Sequence, residues 1–207
     1  MYSTIHKNTL LEPEKHYHIF NRAVGDELLF REDTDYCYFL DKIERFILPV
    51  ADLISYCLIP NHFHLFIKVL NQETILANLK IVHLESMEDK LNQSFSNFFN
   101  SFTKTYNLRH NRKGKLFLLP YKKKLVEEES YFISIINYIH RNPLHHGLTS
   151  DHKSWKYSSF NTYLSKGETR IRRDIGLEYF GDLNSFIRFH IENKMKPGSD
   201  EYLTDSA

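Results

Sequence analysis

Apolar and polar positions along this chain repeat with two periods, and together they lay out an order of strands and helices. From His62 to Val69, Phe63, Leu65, Ile67 and Val69 alternate with His62, His64, Phe66 and Lys68. Successive strand side chains point to opposite faces, so the first set faces a core and His62 and His64 share the other side. Leu53 to Ile59 reads as a second strand, joined to this one by a turn at Pro60-Asn61. His16 to Arg22 reads as an earlier strand and Lys123 to Val126 as a later one. Helical spacing lies between them. Tyr36, Phe39, Leu40, Ile43 and Ile47 form one stripe, capped by Asp33 or Thr34 and ended by Pro49. Asn71 to Asp89 reads as a connection, partly helical. From about Leu91 to Leu108, Phe95, Phe98, Phe99, Phe102 and Tyr106 line one face at the spacing of a buried stripe. Phe132, Ile135, Ile136 and Ile139 form a third stripe, with Glu127, Glu128 and Glu129 in the first turn. Pro143 disfavours helical geometry at Asn142, so this helix is expected to end about there. The order βαββαβ followed by a terminal helix predicts an α+β fold: a ferredoxin-like antiparallel sheet with helices packed on it.

Candidate chemistry changes this picture at two places. Two imidazoles on one strand face, with an apolar layer behind them, make half of a divalent metal site. About 75 residues later, Tyr138 and Asn142 stand four apart on the last helix and are therefore neighbours on one face. Tyr131 lies earlier on the same side. A phenol is a poor nucleophile near neutral pH, because its pKa is about 10.

Composition sets bounds. The chain has 207 residues, 42% of them hydrophobic and 14% aromatic, enough for one domain with an appendage. Cys37 and Cys57 form no CxxC pair and are expected to be reduced, buried and structural. No apolar run reaches membrane-spanning length and the N-terminus is polar, so a cytoplasmic protein without membrane contact is expected. Net charge is only +1, but its distribution is uneven. No Asp or Glu lies between Lys90 and Val126, a stretch that holds Lys90, Lys104, Arg109, Arg112, Lys113, Lys115, Lys122, Lys123 and Lys124. Such a segment is an electrostatic footprint for phosphate, and equally a solvated loop with ordinary surface lysines. Phe117 and Tyr121 beside it can stack on bases or belong to the core.

Four stretches then carry a resemblance: Tyr17-His18-Ile19-Phe20-Asn21-Arg22-Ala23, Leu58 to Phe66, Tyr138-Ile139-His140-Arg141-Asn142-Pro143 with Gly147-Leu148, and Trp155-Lys156-Tyr157-Ser158-Ser159-Phe160. In that order and spacing the chain resembles the single-tyrosine HUH transposases, and among them the REP-associated tyrosine transposases. The resemblance implies a nuclease domain of the HUH type that cuts and rejoins single-stranded DNA next to small hairpins. By position it implies His62 and His64 as metal ligands, Asn142 as the third, Tyr138 as the nucleophile, and Mg²⁺ or Mn²⁺ as the cofactor. It also implies single-stranded or hairpin DNA as the partner. Arg109, Arg112, Lys113, Lys115, Lys122, Lys123, Lys124 and Arg141 are then the candidate DNA-binding residues. Leu118-Leu119-Pro120 and His145-His146 stand where relatives often carry Gln or Arg. His140 is expected to turn away from Tyr138 and to be structural. His16 and His18 either approach the site from the first strand or stay satisfied within the sheet.

The division that follows is a polar lead-in (1–14), a nuclease domain (15–149) and a C-terminal extension (150–207). In the extension Trp155 to Phe160 packs on the domain, Leu183 to Ile191 is helical, Ile171-Arg172-Arg173 meets DNA or solvent, and the last residues are frayed. Monomer and homodimer both remain open. Two further readings share the same residues: a catalytically silent, domesticated hairpin-DNA-binding protein, and a metal-dependent hydrolase in which the His pair activates water and Tyr138 is incidental.

Overall fold

The computed structural model describes residues 10–81 and 86–193. Strands β1 (His16–Arg22), β2 (Ala51–Ile59), β3 (His62–Val69) and β4 (Lys122–Val126) form one antiparallel sheet in the order β2-β3-β1-β4. Helix α1 (Asp33–Phe46) joins β1 to β2, and α2 (Gln72–Leu79) and α3 (Met87–Arg109) lie between β3 and β4. Helix α4 (Glu129–His145) follows β4. The fold is α+β, as the periodicity predicts.

The two faces of the sheet carry different chemistry. Tyr17, Ile19, Phe63, Leu65 and Ile67 are fully buried. On this face Phe63 meets Phe39 of α1 at 5.0 Å and Phe99 of α3 at 6.1 Å between ring centroids. The α3 stripe is core: Phe95, Phe98, Phe99, Phe102 and Tyr106 are all buried. Phe117 and Tyr121 join it, through Phe99 at 5.0 and 5.1 Å, so they pack inward rather than offering a platform for bases. The opposite face holds His18, Phe20, His62, His64 and Phe66, and α4 lies over it, with Phe132 5.5 Å from Phe66.

Several boundaries differ from the periodicity, each for a local reason. Helix α1 is capped at Glu32, not Asp33 or Thr34, because the Asp35 carboxylate accepts from the backbone N–H groups of Arg31 and Glu32 at 3.0 and 3.3 Å. Ser86 accepts from Asp89 N–H at 3.2 Å and starts α3 four residues early. Only Glu129 lies in the first turn of α4; Glu128 is its cap, and Glu127 precedes it. Pro143 does not end α4, which runs to His145. A proline this near a helix end deprives only one carbonyl of its partner, and the turn closes through His146 N–H on Asn142 O and Leu148 N–H on Pro143 O. Cys57 is buried, but Cys37 is exposed, because it stands off the Tyr36-Phe39-Ile43 stripe.

Beyond α4 the chain wraps back onto the sheet. A 3₁₀ turn (His152–Ser154) leads to α5 (Phe160–Leu164), α6 (Arg173–Phe180) and α7 (Leu183–Glu192). The free edge of β2 is taken up by this segment. Leu58 N–H donates to Tyr157 O, Ser159 N–H to Tyr56 O and Arg172 N–H to Leu53 O, at 2.8–3.0 Å. Trp155 Nε1 donates to Leu58 O at 2.9 Å. The polar groups of an open strand edge are thereby satisfied within the chain. Ile171 is buried, Arg172 pairs with Asp52 and Asp174, and Arg173 donates to the carbonyls of Thr162, Ser165 and Gly167. Residues 10–14 of the lead-in are pinned, with Glu14 N–H on Val69 O and Tyr17 Oη donating to Leu10 O. The expectations for residues 1–9 and 194–207 lie outside the described residues. Among those described, no helix is long and apolar enough to cross a membrane.

Candidate functional site

The face under α4 gathers His62, His64, Tyr138 and Asn142 into one buried cluster. The β3 alternation puts the two histidines on one side with ring centroids 5.3 Å apart. The helical repeat of α4 puts Tyr138, Asn142 and His145 along the side that faces them. Asn142 lies between the imidazoles: its Oδ1 is 3.1 Å from His62 Nε2 and its Nδ2 is 3.2 Å from His64 Nε2. The Tyr138 ring stands nearly perpendicular to that of His64, 5.4 Å away, and touches His145 at 5.6 Å. His146 covers His62 at 4.5 Å. Tyr138 is 3% exposed and His64 and Asn142 are fully buried.

The second ring of contacts holds a residue that the sequence left undecided. His18 Nε2 is 2.9 Å from His64 Nδ1, and the His18 ring lies 6.1 Å from Tyr138. His16, two residues earlier on the same face, belongs elsewhere: it bonds Tyr179 Oη at 2.8 Å, and burial, with Lys68 beside it, pushes its pKa down to about 4. On the far side of His62, Nδ1 meets Asn61 Oδ1 at 2.8 Å.

This donor set fits a divalent cation. Asn61 Oδ1 can only accept, so it takes the Nδ1 proton of His62 and leaves Nε2 with a lone pair. That lone pair faces Asn142 Oδ1, another acceptor, at 3.1 Å. A cation held between them would engage both lone pairs. Two imidazole nitrogens and one amide oxygen suit Mn²⁺ and accommodate Mg²⁺. The cluster of Glu32, Asp35 and His110 has metal-ligand chemistry too, but Asp35 is committed to the α1 cap and to Arg109 and His110 at 2.8 and 3.0 Å.

The candidate DNA-binding residues separate into groups. Lys122 and Lys124 pair across the sheet with Phe20 and His18, and their ammonium groups lie 5.7 and 5.6 Å from the Phe20 ring. They therefore border the histidine face. Lys123 points the other way, over Tyr121 at 5.6 Å, and burial lowers its pKa. Arg109 pairs with Asp35, and Arg112 with Glu27 at 2.9 Å. Lys113 and Lys115 are exposed. Arg141 leans on the C-terminal segment, donating to His190 O at 3.3 Å.

His140 faces away from Tyr138, into a separate buried cluster. His190 Nδ1 donates to Phe186 O at 2.8 Å, which leaves its Nε2 to accept from His140 Nδ1 at 2.9 Å. His140 Nε2 then accepts from Ser159 Oγ at 2.7 Å, and Ser159 Oγ accepts from Tyr56 N–H at 2.9 Å. Desolvation holds His140 well below the ordinary imidazole range and His190 at about 3. Nothing in the local sequence marks Ser159 and His190 as its partners, since they lie 19 and 50 residues away.

The geometry can be set beside known proteins. No family model matches the chain. A REP-associated tyrosine transposase of Haemophilus influenzae is 23% identical over 110 residues, which is 53% of this chain and 59% of the relative. The chain thus spans about three fifths of that relative's length. Among solved structures, a REP-associated tyrosine transposase bound to a REP hairpin superposes with a TM-score of 0.57 at 11% identity, over 80% of this chain and 87% of that one. The fold is therefore that of a tyrosine transposase: α+β, with a four-stranded antiparallel sheet and helices. At this distance the chain is similar to REP-associated tyrosine transposases both in sequence and in fold.

Proposed function

We propose that this chain is a metal-dependent single-tyrosine HUH endonuclease and transposase, built on a ferredoxin-like sheet, that cuts and rejoins single-stranded DNA beside hairpins. The observation that carries the reading is the convergence of Tyr138, His62, His64 and Asn142 in one cluster from two elements about 75 residues apart. His62, His64 and Asn142 would hold Mg²⁺ or Mn²⁺. The cation, when bound, polarises a phosphoryl oxygen and offsets charge on the scissile phosphate. Tyr138 Oη attacks phosphorus, the bond to the 3′ oxygen breaks, and the proton lost by the phenol balances the one gained by the 3′-hydroxyl. The product is a 5′-phosphotyrosine, which keeps the energy of the broken phosphodiester for rejoining without ATP. Lys122 and Lys124 border the same face and are suited to the flanking phosphates. DNA transposition by this route needs a protein within reach of the cell's DNA, which accords with a cytoplasmic location.

The burial of Tyr138 favours a second reading, a hairpin-binding protein that does not cut, because a nucleophile 3% exposed has no open path to a phosphate in this conformation. A denaturing gel separates the two. With end-labelled hairpin-containing single strands and Mn²⁺, cutting by the tyrosine route gives a protein–DNA adduct on the 3′ fragment. Tyr138→Phe is expected to abolish the adduct while still shifting DNA on a native gel. Shifted but uncut DNA with the unaltered chain supports the silent module. Cutting without an adduct, equal in Tyr138→Phe, supports a hydrolase that uses water.

A further inference from the structure

We propose that His18 is a positioning residue for His64: its Nε2 accepts the His64 Nδ1 proton and so holds the His64 Nε2 lone pair toward the cleft shared with His62 and Asn142. The proposal rests on the reading of that cleft as a cation site. Two contacts fix the direction of the bond. Asn142 Nδ2 can only donate, and it lies 3.2 Å from His64 Nε2, so Nε2 accepts. A neutral imidazole that accepts at Nε2 carries its proton on Nδ1. That Nδ1 is 2.9 Å from His18 Nε2, which must therefore accept.

The strand register builds the contact. Phe20 stands opposite His64 and His18 opposite Phe66, so His18 is the diagonal neighbour of His64 on the same face. The two imidazoles lie nearly coplanar, 5.1 Å between centroids and 23° between planes, and Phe20 stacks on His18 at 4.8 Å and on His64 at 5.7 Å. His18 is 1% exposed and His64 fully buried, so water does not replace either partner. An acceptor on the non-ligating nitrogen selects the tautomer, fixes the ring and makes the ligating nitrogen more basic. Asn61 stands in the same relation to His62, at 2.8 Å. Each histidine of the pair is thus held from behind by a different strand or turn.

The test uses the full chain and Mn²⁺ alone, with free Mn²⁺ read by electron paramagnetic resonance. The unaltered protein is expected to bind Mn²⁺ and His64→Ala to lose it. His18→Phe keeps a flat ring but no acceptor, and is expected to weaken Mn²⁺ binding by about 10–100-fold. His18→Gln, which restores an acceptor at the same reach, is expected to recover most of the affinity. Wild-type affinity in His18→Phe, alongside loss in His64→Ala, would overturn the role of His18 and leave the cation site standing. No uptake by the unaltered chain, or uptake undiminished in His64→Ala, would overturn both. Should either variant at position 18 fail to fold, long-range ¹H–¹⁵N spectra of the unaltered metal-free protein decide. A proton on His64 Nδ1 is expected, and a proton on Nε2 refutes the proposal.

Discussion

Helix α4 carries a histidine cluster on each of two sides, and the two obey opposite rules. On one side His140, His190 and Ser159 form a one-way chain in which every donor meets an acceptor, ending on the carbonyl of Phe186. The two rings and the one hydroxyl are fully buried, and the two imidazoles are kept neutral by desolvation. Such a chain has nothing left to offer a ligand; it fastens the C-terminal segment to the tyrosine helix and to β2. On the other side His62 and Asn142 bring two acceptors face to face, while His18 and Asn61 hold the outer nitrogens. A count of histidines does not distinguish these clusters. The direction of their hydrogen bonds does.

Substitutions can break this contrast. The largest effect is expected at the site: His62→Ala or His64→Ala should lower DNA cutting by about 1,000-fold or more, read as adduct formed per minute by the folded protein. On the opposite side His190→Ala should cost about 3 kcal/mol of stability, because it leaves a cavity and an unpaired His140 Nδ1–H. Urea unfolding measures it, and an unchanged midpoint would show that the C-terminal segment is not fastened there. Gly176→Ala should cost about 2 kcal/mol, since a Cβ at that position would run into the Tyr163 hydroxyl, which is bonded to Ile54 O at 2.7 Å.

The neutral cluster also sets a pH dependence. His190 has a folded pKa of about 3 against 6.5 in the unfolded chain, and His140 is lowered as well. The unfolded state binds more protons, so stability is full above pH 6.5 and falls as pH drops below it. The expected slope is about 1.4 kcal/mol per pH unit for each ring, and His190→Phe should flatten the fall between pH 6.5 and 5. The smallest effect concerns the basic residues. Lys122→Ala with Lys124→Ala should reduce the salt slope of DNA binding by about 2 without loss of stability. Arg109→Ala should instead act on stability, through the buried Asp35.

Much of this architecture was legible in the residues. Period-two alternation marks β1 and β3 to their ends, and the α3 aromatic stripe is the core it reads as. The side of β3 shared by His62 and His64, and the one-turn step from Tyr138 to Asn142, follow from local geometry alone. What lay beyond reach depends on partners far along the chain. His18 meets His64 only through the β1–β3 register, 46 residues apart. Arg109 reads as a free cation until Asp35, 74 residues earlier, takes it. Helix α6 has a short, mixed stripe and owes its place to Tyr163 and the β2 edge. Pro143 reads as a stop because the rule concerns helix interiors, and here it falls in the last turn.

The most direct test of the account is to locate the covalent bond itself. The full chain would be reacted with a hairpin-bearing single strand and Mn²⁺, digested, and the peptide spanning 125–141 sequenced by mass spectrometry. The account expects a nucleotide fragment on Tyr138 and none on Tyr131. A fragment on Tyr131, or cleaved DNA with no tyrosine modified, would contradict it.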